Sequence, residues 1–260
     1  MEEIIRRFER FRDAVKLGLL TVLAVAAGLL GGASTTHASV SWDNVQTNDS
    51  SIQTYSAKYG GGYWVVGGES SYWVSLNGTN WNEYNSISNL SVKSVAYNGT
   101  IWVIVGQPHY TGASTIMRSA TSAPSFGNPS GTQVTDGLCG VAYGNGKFVA
   151  VGYQGAVYTS STGDNWAKQT VGTTTLMSIV YGDGKFVAVG YDGSIWTSAD
   201  GSSGSWTERD PDGHYWSGLN AVAYSGDSFI AVGTGGIVIS SPDGITWTLV
   251  QYGLGGTYIV

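Results

Sequence analysis

From Ser39 onward the side chains that could do chemistry are few and widely spaced. Carboxylates at Glu69, Asp192, Glu208, Asp210 and Asp212 fall in stretches that read as loops. Glycoside hydrolysis generally needs two such groups facing each other across a cleft, whereas an acid in a solvated turn is the ordinary case. His109 and His214 stand alone in sequence, and a metal site would need neighbouring loops to bring them together. Cys139 has no second cysteine to pair with, and Leu138-Cys139-Gly140-Val141 reads as a strand carrying a small buried thiol. No Ser-His-Asp order, Cys-His pair, phosphate loop or zinc spacing stands out. The expectation is therefore a protein that is not an enzyme, with no catalytic residue, no metal and no cofactor. What the loops do offer is rings beside polar groups. Glu69, Tyr72, His109, Tyr110 and Tyr153 form one set of candidate ligand-binding residues, and Tyr191, Asp192, His214, Tyr215 and Trp216 a second. Sugar C–H faces stack on rings while their hydroxyls take hydrogen bonds, so these residues suit a glycan; they suit a protein partner equally well. Tyr215 and Trp216, adjacent in one loop, are the least easily explained by packing alone.

Those loops need a scaffold, and the sequence supplies it in five copies. Gly140 to Trp166 recurs almost word for word at Ser178 to Trp206 and again at Ala221 to Trp247, and two looser copies end at Trp81 and Phe126. The closing aromatics are 45, 40, 40 and 41 residues apart, a period that suits a four-stranded propeller blade. Within a copy, a short apolar run leads to an Asn-Gly or Asp-Gly pair (Asn145-Gly146, Asp183-Gly184), a strong hairpin signal because both residues must take positive φ. A β-branched run such as Phe186–Gly190 follows, apolar throughout as for a strand covered on both faces. A Gly-containing turn and two further strands complete the unit, the last opening on the tryptophan. The fold class is all-β, a propeller of about five blades, and the second-to-third-strand turns and inter-blade loops emerge on one of its faces.

The turn before each tryptophan repeats a pattern: Ser75-Leu-Asn77-Gly78-Thr-Asn80-Trp81, Ser160-Ser-Thr162-Gly163-Asp-Asn165-Trp166, and Ser241-Pro-Asp243-Gly244-Ile-Thr246-Trp247, with Ser198-Ala-Asp200-Gly201 two residues longer before Trp206. This resembles the Asp-box of sialidase-like and photosystem-assembly-factor-like propellers with BNR-type repeats. The resemblance spans residues 40 to 255 and implies the fold and a structural role for the box. Copies one and three depart from it at Asn77 and Thr162, and copy two has nearly lost it. Sialidase chemistry, as that family implies it, needs an arginine cluster. Arg118 and Arg209 are the only arginines in the repeats, so the resemblance carries a non-catalytic member.

Seven basic residues stand against fourteen acidic ones from Ser39 onward, an acidic surface that excludes a nucleic-acid partner. Residues 1–38 form the other unit. Arg6, Arg7, Arg10, Arg12 and Lys16 precede an uncharged run from Leu17 to Ala33. Two readings fit: a signal peptide cleaved after Ala38, or an uncleaved hydrophobic helix anchoring the chain in the membrane. Both put the propeller, residues 39–260, outside the cytoplasm, with the membrane touched only through the leader. The partner class is a glycan or a cell-surface protein, with assembly of a membrane complex as the alternative and glycoside hydrolysis behind both. Ser41-Trp42-Asp43 reads as an outer strand lacking its blade, and Thr257-Tyr258-Ile259-Val260 as a first strand. They could add to the seam of five blades, form a partial sixth, or be shared in an oligomer.

Overall fold

The computed structural model describes residues 53–251, except 86, 88–89, 110–114, 121–122, 129–130, 132 and 210–217. The leader and both terminal strands lie outside the described residues. Blade one comprises β1 (Thr54–Gly60), β2 (Tyr63–Gly68), β3 (Tyr72–Ser75) and β4 (Asn82–Tyr84). Blade two has β5 (Leu90–Tyr97), β6 (Trp102–Pro108) and β7 (Ile116–Ser119). Blade three runs through β8 (Leu138–Gly144), β9 (Lys147–Gly152), β10 (Ala156–Ser160) and β11 (Ala167–Thr170), and blade four through β12 (Leu176–Gly182), β13 (Lys185–Gly190), β14 (Ile195–Ser198) and β15 (Thr207–Glu208). Blade five holds β16 (Leu219–Tyr224), β17 (Phe229–Gly233), β18 (Val238–Ser241) and β19 (Thr248–Gln251). Every sheet is an antiparallel meander in chain order. Inner strands pack in succession, β1 on β5, β5 on β8, β8 on β12 and β12 on β16. The fold is a five-bladed β-propeller.

Blade two departs from the expected four strands. Its fourth is reduced, among the described residues, to one bridge between Arg118 and Gly127. Pro124 and Pro129 flank that stretch, and a proline has no N–H to give a ladder.

The hairpins form as their turn residues dictate. Asn145 and Gly146 have φ of 46° and 74°, and Asp183 and Gly184 of 44° and 71°. In the outer turns one pattern of bonds recurs. The Ser241 hydroxyl oxygen accepts the Gly244 N–H at 2.8 Å, Asp243 Oδ1 accepts the Ile245 and Thr246 N–H groups at 2.8 Å each, and the Trp247 indole donates to the Gly244 carbonyl at 3.2 Å. Asn77 replaces the acid without loss, taking the Thr79 and Asn80 N–H groups at 2.9 Å. These local bonds are why the turn motif is repeated: each closes a hairpin and fixes its tryptophan on the blade surface.

A prediction follows from charge. Backbone N–H donors from Thr246 and Ile245 hold the Asp243 carboxyl below the usual aspartate range, and the Ser202 hydroxyl and N–H do the same for Asp200. A carboxyl depressed by folding contributes stability that is whole above its unfolded value, about pH 4, and is lost as pH falls through the folded value. Thermal melts from pH 6 downward are expected to fall in Tm below about pH 4. Asp243→Asn should match the parent at pH 7 and fall less in acid; an equal fall would assign the acid sensitivity elsewhere.

Between successive blades lie apolar seams. Val65 and Tyr72 of blade one meet Leu90, Trp102 and Ile104 of blade two, and Val103, Val105 and Ile116 meet Leu138, Phe148 and Tyr158 of blade three. Val149, Val151 and Val157 meet Leu176, Ile179 and Phe186, and Val187, Val189 and Ile195 meet Leu219, Phe229 and Trp247. The core is thus a set of interfaces, each sealed by strands that are apolar on both faces.

Candidate functional site

Each inner strand contains the same irregularity. Register slips by one residue between Thr54 and Ser56, Val92 and Ser94, Leu138 and Gly140, Leu176 and Ser178, and Leu219 and Ala221. The extra residues are Tyr55, Lys93, Cys139, Met177 and Asn220. A bulge re-aims a side chain away from its ladder, and here both flanking positions are already committed. The residue before it packs into the seam with the preceding blade, as Val92, Leu138, Leu176 and Leu219 do. The residue after it faces the next blade: Ser94 Oγ accepts the Val141 N–H at 3.1 Å, and a Cβ on Gly140 would stand 3.1 Å from the Ile179 nitrogen. The bulged residue is left at the free inner edge, beside the axis. Two neighbours around this ring touch: the Lys93 ammonium lies 3.2 Å from the centre of the Tyr55 ring.

The ring is where the copies diverge. Before it stand Thr, Val, Leu, Leu, Leu; after it Ser, Ser, Gly, Ser, Ala, and four places on a Tyr in every blade. At the bulge the five residues share no chemical character. A structural position repeated five times would keep one solution, as its neighbours do.

Glu69 and His109, both on second-to-third-strand loops, meet at the rim of this ring. Glu69 Oε1 is 2.8 Å from His109 Nε2, and Glu69 Oε2 accepts the Tyr55 hydroxyl at 2.7 Å and the Ser91 hydroxyl at 2.8 Å. Burial works against the Glu69 charge, but those two hydroxyls, with His109 and Lys93, outweigh it and hold the carboxyl below its usual range. Burial, then the Glu69 bond, pushes the Tyr55 phenol up to about 12. Ser91, His109 and Glu69 are the residue types of a hydrolase triad, but the Ser91 oxygen lies 2.9 Å from the same His109 Nε2 that pairs with Glu69. A relay needs the base and its orienting acid on opposite ring nitrogens, so this arrangement is not that relay; it ties a carboxylate down. Lys93 is held below the usual lysine range by burial, and among the described residues it has no hydrogen-bonding partner. Next around the ring, burial pushes the Cys139 thiol up to about 11, against a weak contact from Gln107 Nε2 at 3.9 Å and the nearby Lys93 charge, which both favour the thiolate. It is a protonated, buried thiol, as its sequence context suggested.

The remaining sequence candidates divide. Tyr153 and Tyr191 are 45% and 66% exposed on the same face. Asp192 is exposed, but its Oδ1 accepts the Ser194 N–H at 3.0 Å and so closes its own turn. Tyr72 is not a contact residue: it is 1% exposed, stacked on Tyr84 at 4.9 Å and edge-on to Phe126, because the first residue of β3 points into the seam with blade two. Tyr110, His214, Tyr215 and Trp216 lie outside the described residues. Sequence reading missed Tyr55, Ser91, Lys93 and Asp136. The bulge column of the aligned copies was the signal for Tyr55 and Lys93.

Asp136 belongs to a second feature of this face, a cavity of about 460 Å³ lined by Thr135, Asp136, Gly137, Tyr153, Gln154, Ala156, Lys168 and Thr170. Asp136 Oδ2 accepts the Tyr158 hydroxyl at 2.5 Å and pairs with Lys168 at 2.6 Å. Those two partners keep its carboxyl ionised below the usual range.

Fold and site together define a repeat-built β-propeller, one face of which carries the Glu69–His109 cluster and the blade-three cavity. No known family matches the sequence, and no curated protein matches it either. Among solved structures, the chain is similar in fold to a computationally designed protein, Ika8, at 13% identity and a TM-score of 0.56, covering 80% of this chain and 63% of that one. It thus spans a little under two thirds of the designed protein. YCF48 from Cyanidioschyzon merolae is similar at 13% identity and a TM-score of 0.56, over 77% of this chain and 72% of that one. A structure of YCF48 bound to D1 peptide matches at 15% identity and a TM-score of 0.48, over 76% and 80%.

Proposed function

We propose that this chain is a non-catalytic binding module, exported by its leader, that presents the axial ring and surrounding turns to a glycan or a protein at the cell surface. The observation that carries the reading is the bulge column: one position per blade, gathered at the axis, where five otherwise similar strands carry Tyr, Lys, Cys, Met and Asn. A geometry reproduced five times with unlike side chains is how a repeat scaffold encodes recognition. Its chemistry supports binding rather than turnover, since the carboxylate, imidazole and hydroxyl at the rim satisfy one another and the thiol is protonated. The assembly-factor alternative would use the same face with a protein ligand, and a likeness to YCF48 at 13% identity supplies no residue on which to prefer it.

The test is binding of the purified protein to a glycan array and to host cells before and after periodate or protease treatment. Tyr55→Ala/Lys93→Ala should weaken whichever response is found by about tenfold, the equivalent of about 1.4 kcal/mol, with Tm preserved. Loss of the response on substituting Asn165, on the opposite face, with the ring variant unaffected, would overturn the assignment. So would the absence of any response.

A further inference from the structure

We infer that the cavity on blade three is the subsite for a neutral oligosaccharide, with Tyr153 as its stacking wall. This deepens the reading above and rests on it. Four of five blades form a comparison at this place. The residue opening the second-to-third-strand turn donates its N–H to the carbonyl just before the inner strand: Glu69 to Gln53, Tyr153 to Gly137, Tyr191 to Thr175, and Thr234 to Gly218, at 2.9 to 3.0 Å. Only blade three pairs an aromatic residue with a glycine. There the ring lies flat over Gly137, where a Cβ would stand 2.8 Å from Tyr153 Cδ2. The flattened ring forms one wall of the cavity.

Gln154, next in the same turn, has φ of 56° and ψ of 36°. L-residues other than glycine avoid that region, and blade five solves the same turn with Gly235 at φ 71°. Strain retained where glycine would serve points to a use for the side chain, and Gln154 is among the residues that line the cavity. Opposite it, Asp136 Oδ2 is taken by Tyr158 and Lys168, which leaves Oδ1 without a partner among the described residues. Thr135 and Thr170 add hydroxyls.

A flat ring, an acceptor carboxylate, an amide and hydroxyls around about 460 Å³ match a sugar unit or two, within the usual range for small-ligand sites. An apolar peptide side chain would find only Ala156 and the one ring. A uronate would face the ionised Asp136, whose cation is already paired.

The experiment titrates the purified protein calorimetrically with neutral di- and trisaccharides (cellobiose, maltose, chitobiose and their trimers) and with digalacturonate. A neutral sugar is expected to bind and digalacturonate not to. Tyr153→Ala should lose about tenfold in affinity, and Gly137→Ala should follow it by tipping the ring. Gln154→Gly should bind more weakly with no fall in Tm, a combination a merely structural residue would not give. Neutral-sugar binding that survives Tyr153→Ala, or binding of digalacturonate alone, overturns the subsite. A protein ligand sensitive to Tyr55→Ala/Lys93→Ala but not to Tyr153→Ala would end the sugar assignment while leaving the binding face intact. Silence from every sugar and from the host cell would end both.

Discussion

Truncating Phe186 to alanine is expected to cost about 3–5 kcal/mol, the range for deleting a large buried aromatic side chain. Phe186 is 0% exposed and stands in the seam between blades three and four, among Val149, Val151 and Val157 on one side and Leu176 and Ile179 on its own. Its ring is tilted against Tyr181 at 4.8 Å and lies beneath the outer turn, where a Cβ on Gly201 would come within 3.6 Å of it. Strands, ring and turn converge on one side chain, so the cavity left behind has rigid walls and cannot collapse. Against a total stability of about 5–15 kcal/mol for a domain, the loss is a large fraction. Urea melts of parent and variant measure it through the shift in midpoint at constant m. A loss below about 1 kcal/mol would mean that blades three and four are not packed through this residue. Phe148 and Phe229 occupy the same place in their blades, each 0% exposed, and the same substitution there should cost a similar amount.

The fold was legible because blade geometry is local. An Asn-Gly pair fixes its hairpin by φ alone, and a Ser-x-Asp-Gly turn closes on bonds spanning three residues, so neither waits for tertiary context. Site residues depend on more. Tyr72 looked like a turn residue, yet a strand displaces its side chains to opposite faces at each step, and one place decided between solvent and seam. Glu69 and His109 are forty residues apart and meet only because consecutive blades are neighbours; their shared place in the repeat was the clue. The bulge was hidden for another reason. One inserted residue breaks the two-residue alternation briefly, and Leu-Cys-Gly-Val still reads as a continuous apolar strand. Only aligning the five copies with one another isolates the column that has no common character. The blade-three cavity was not legible at all, because it needs Gly137 and Tyr153, from separate connections, laid against each other.

Gly144→Ala should destabilise the protein by about 1–3 kcal/mol, occasionally more, through overpacking rather than backbone strain. Its φ lies outside the left-handed region, so alanine can adopt the backbone. Yet a Cβ there would stand 2.0 Å from Tyr181 Cγ and within 2.4 Å of both ring carbons beside it. Cγ is the rooted end of the ring and cannot swing aside. The same seat recurs: Gly60 receives Tyr97 at 2.4 Å, and Gly182 receives Tyr224 at 2.3 Å. Each tyrosine also packs on its own second strand, Tyr181 on Phe186 and Tyr224 on Phe229 at 4.8 and 4.6 Å, so every seat hands one blade to the next. Gly146, two residues on, is glycine for the other reason: its φ is 74° and nothing lies near its Cβ position. A double-mutant cycle separates the two. In a Tyr181→Ala background the Gly144→Ala penalty should shrink by about 1 kcal/mol or more, while the Gly146→Ala penalty, about 1–2 kcal/mol from the left-handed backbone, should stay as it was. Equal penalties in both backgrounds would show that Tyr181 does not seat on Gly144. The high glycine content then reads as two demands, a positive-φ turn in every blade and, in blades one, three and four, a bare patch on which the next blade's tyrosine can lie.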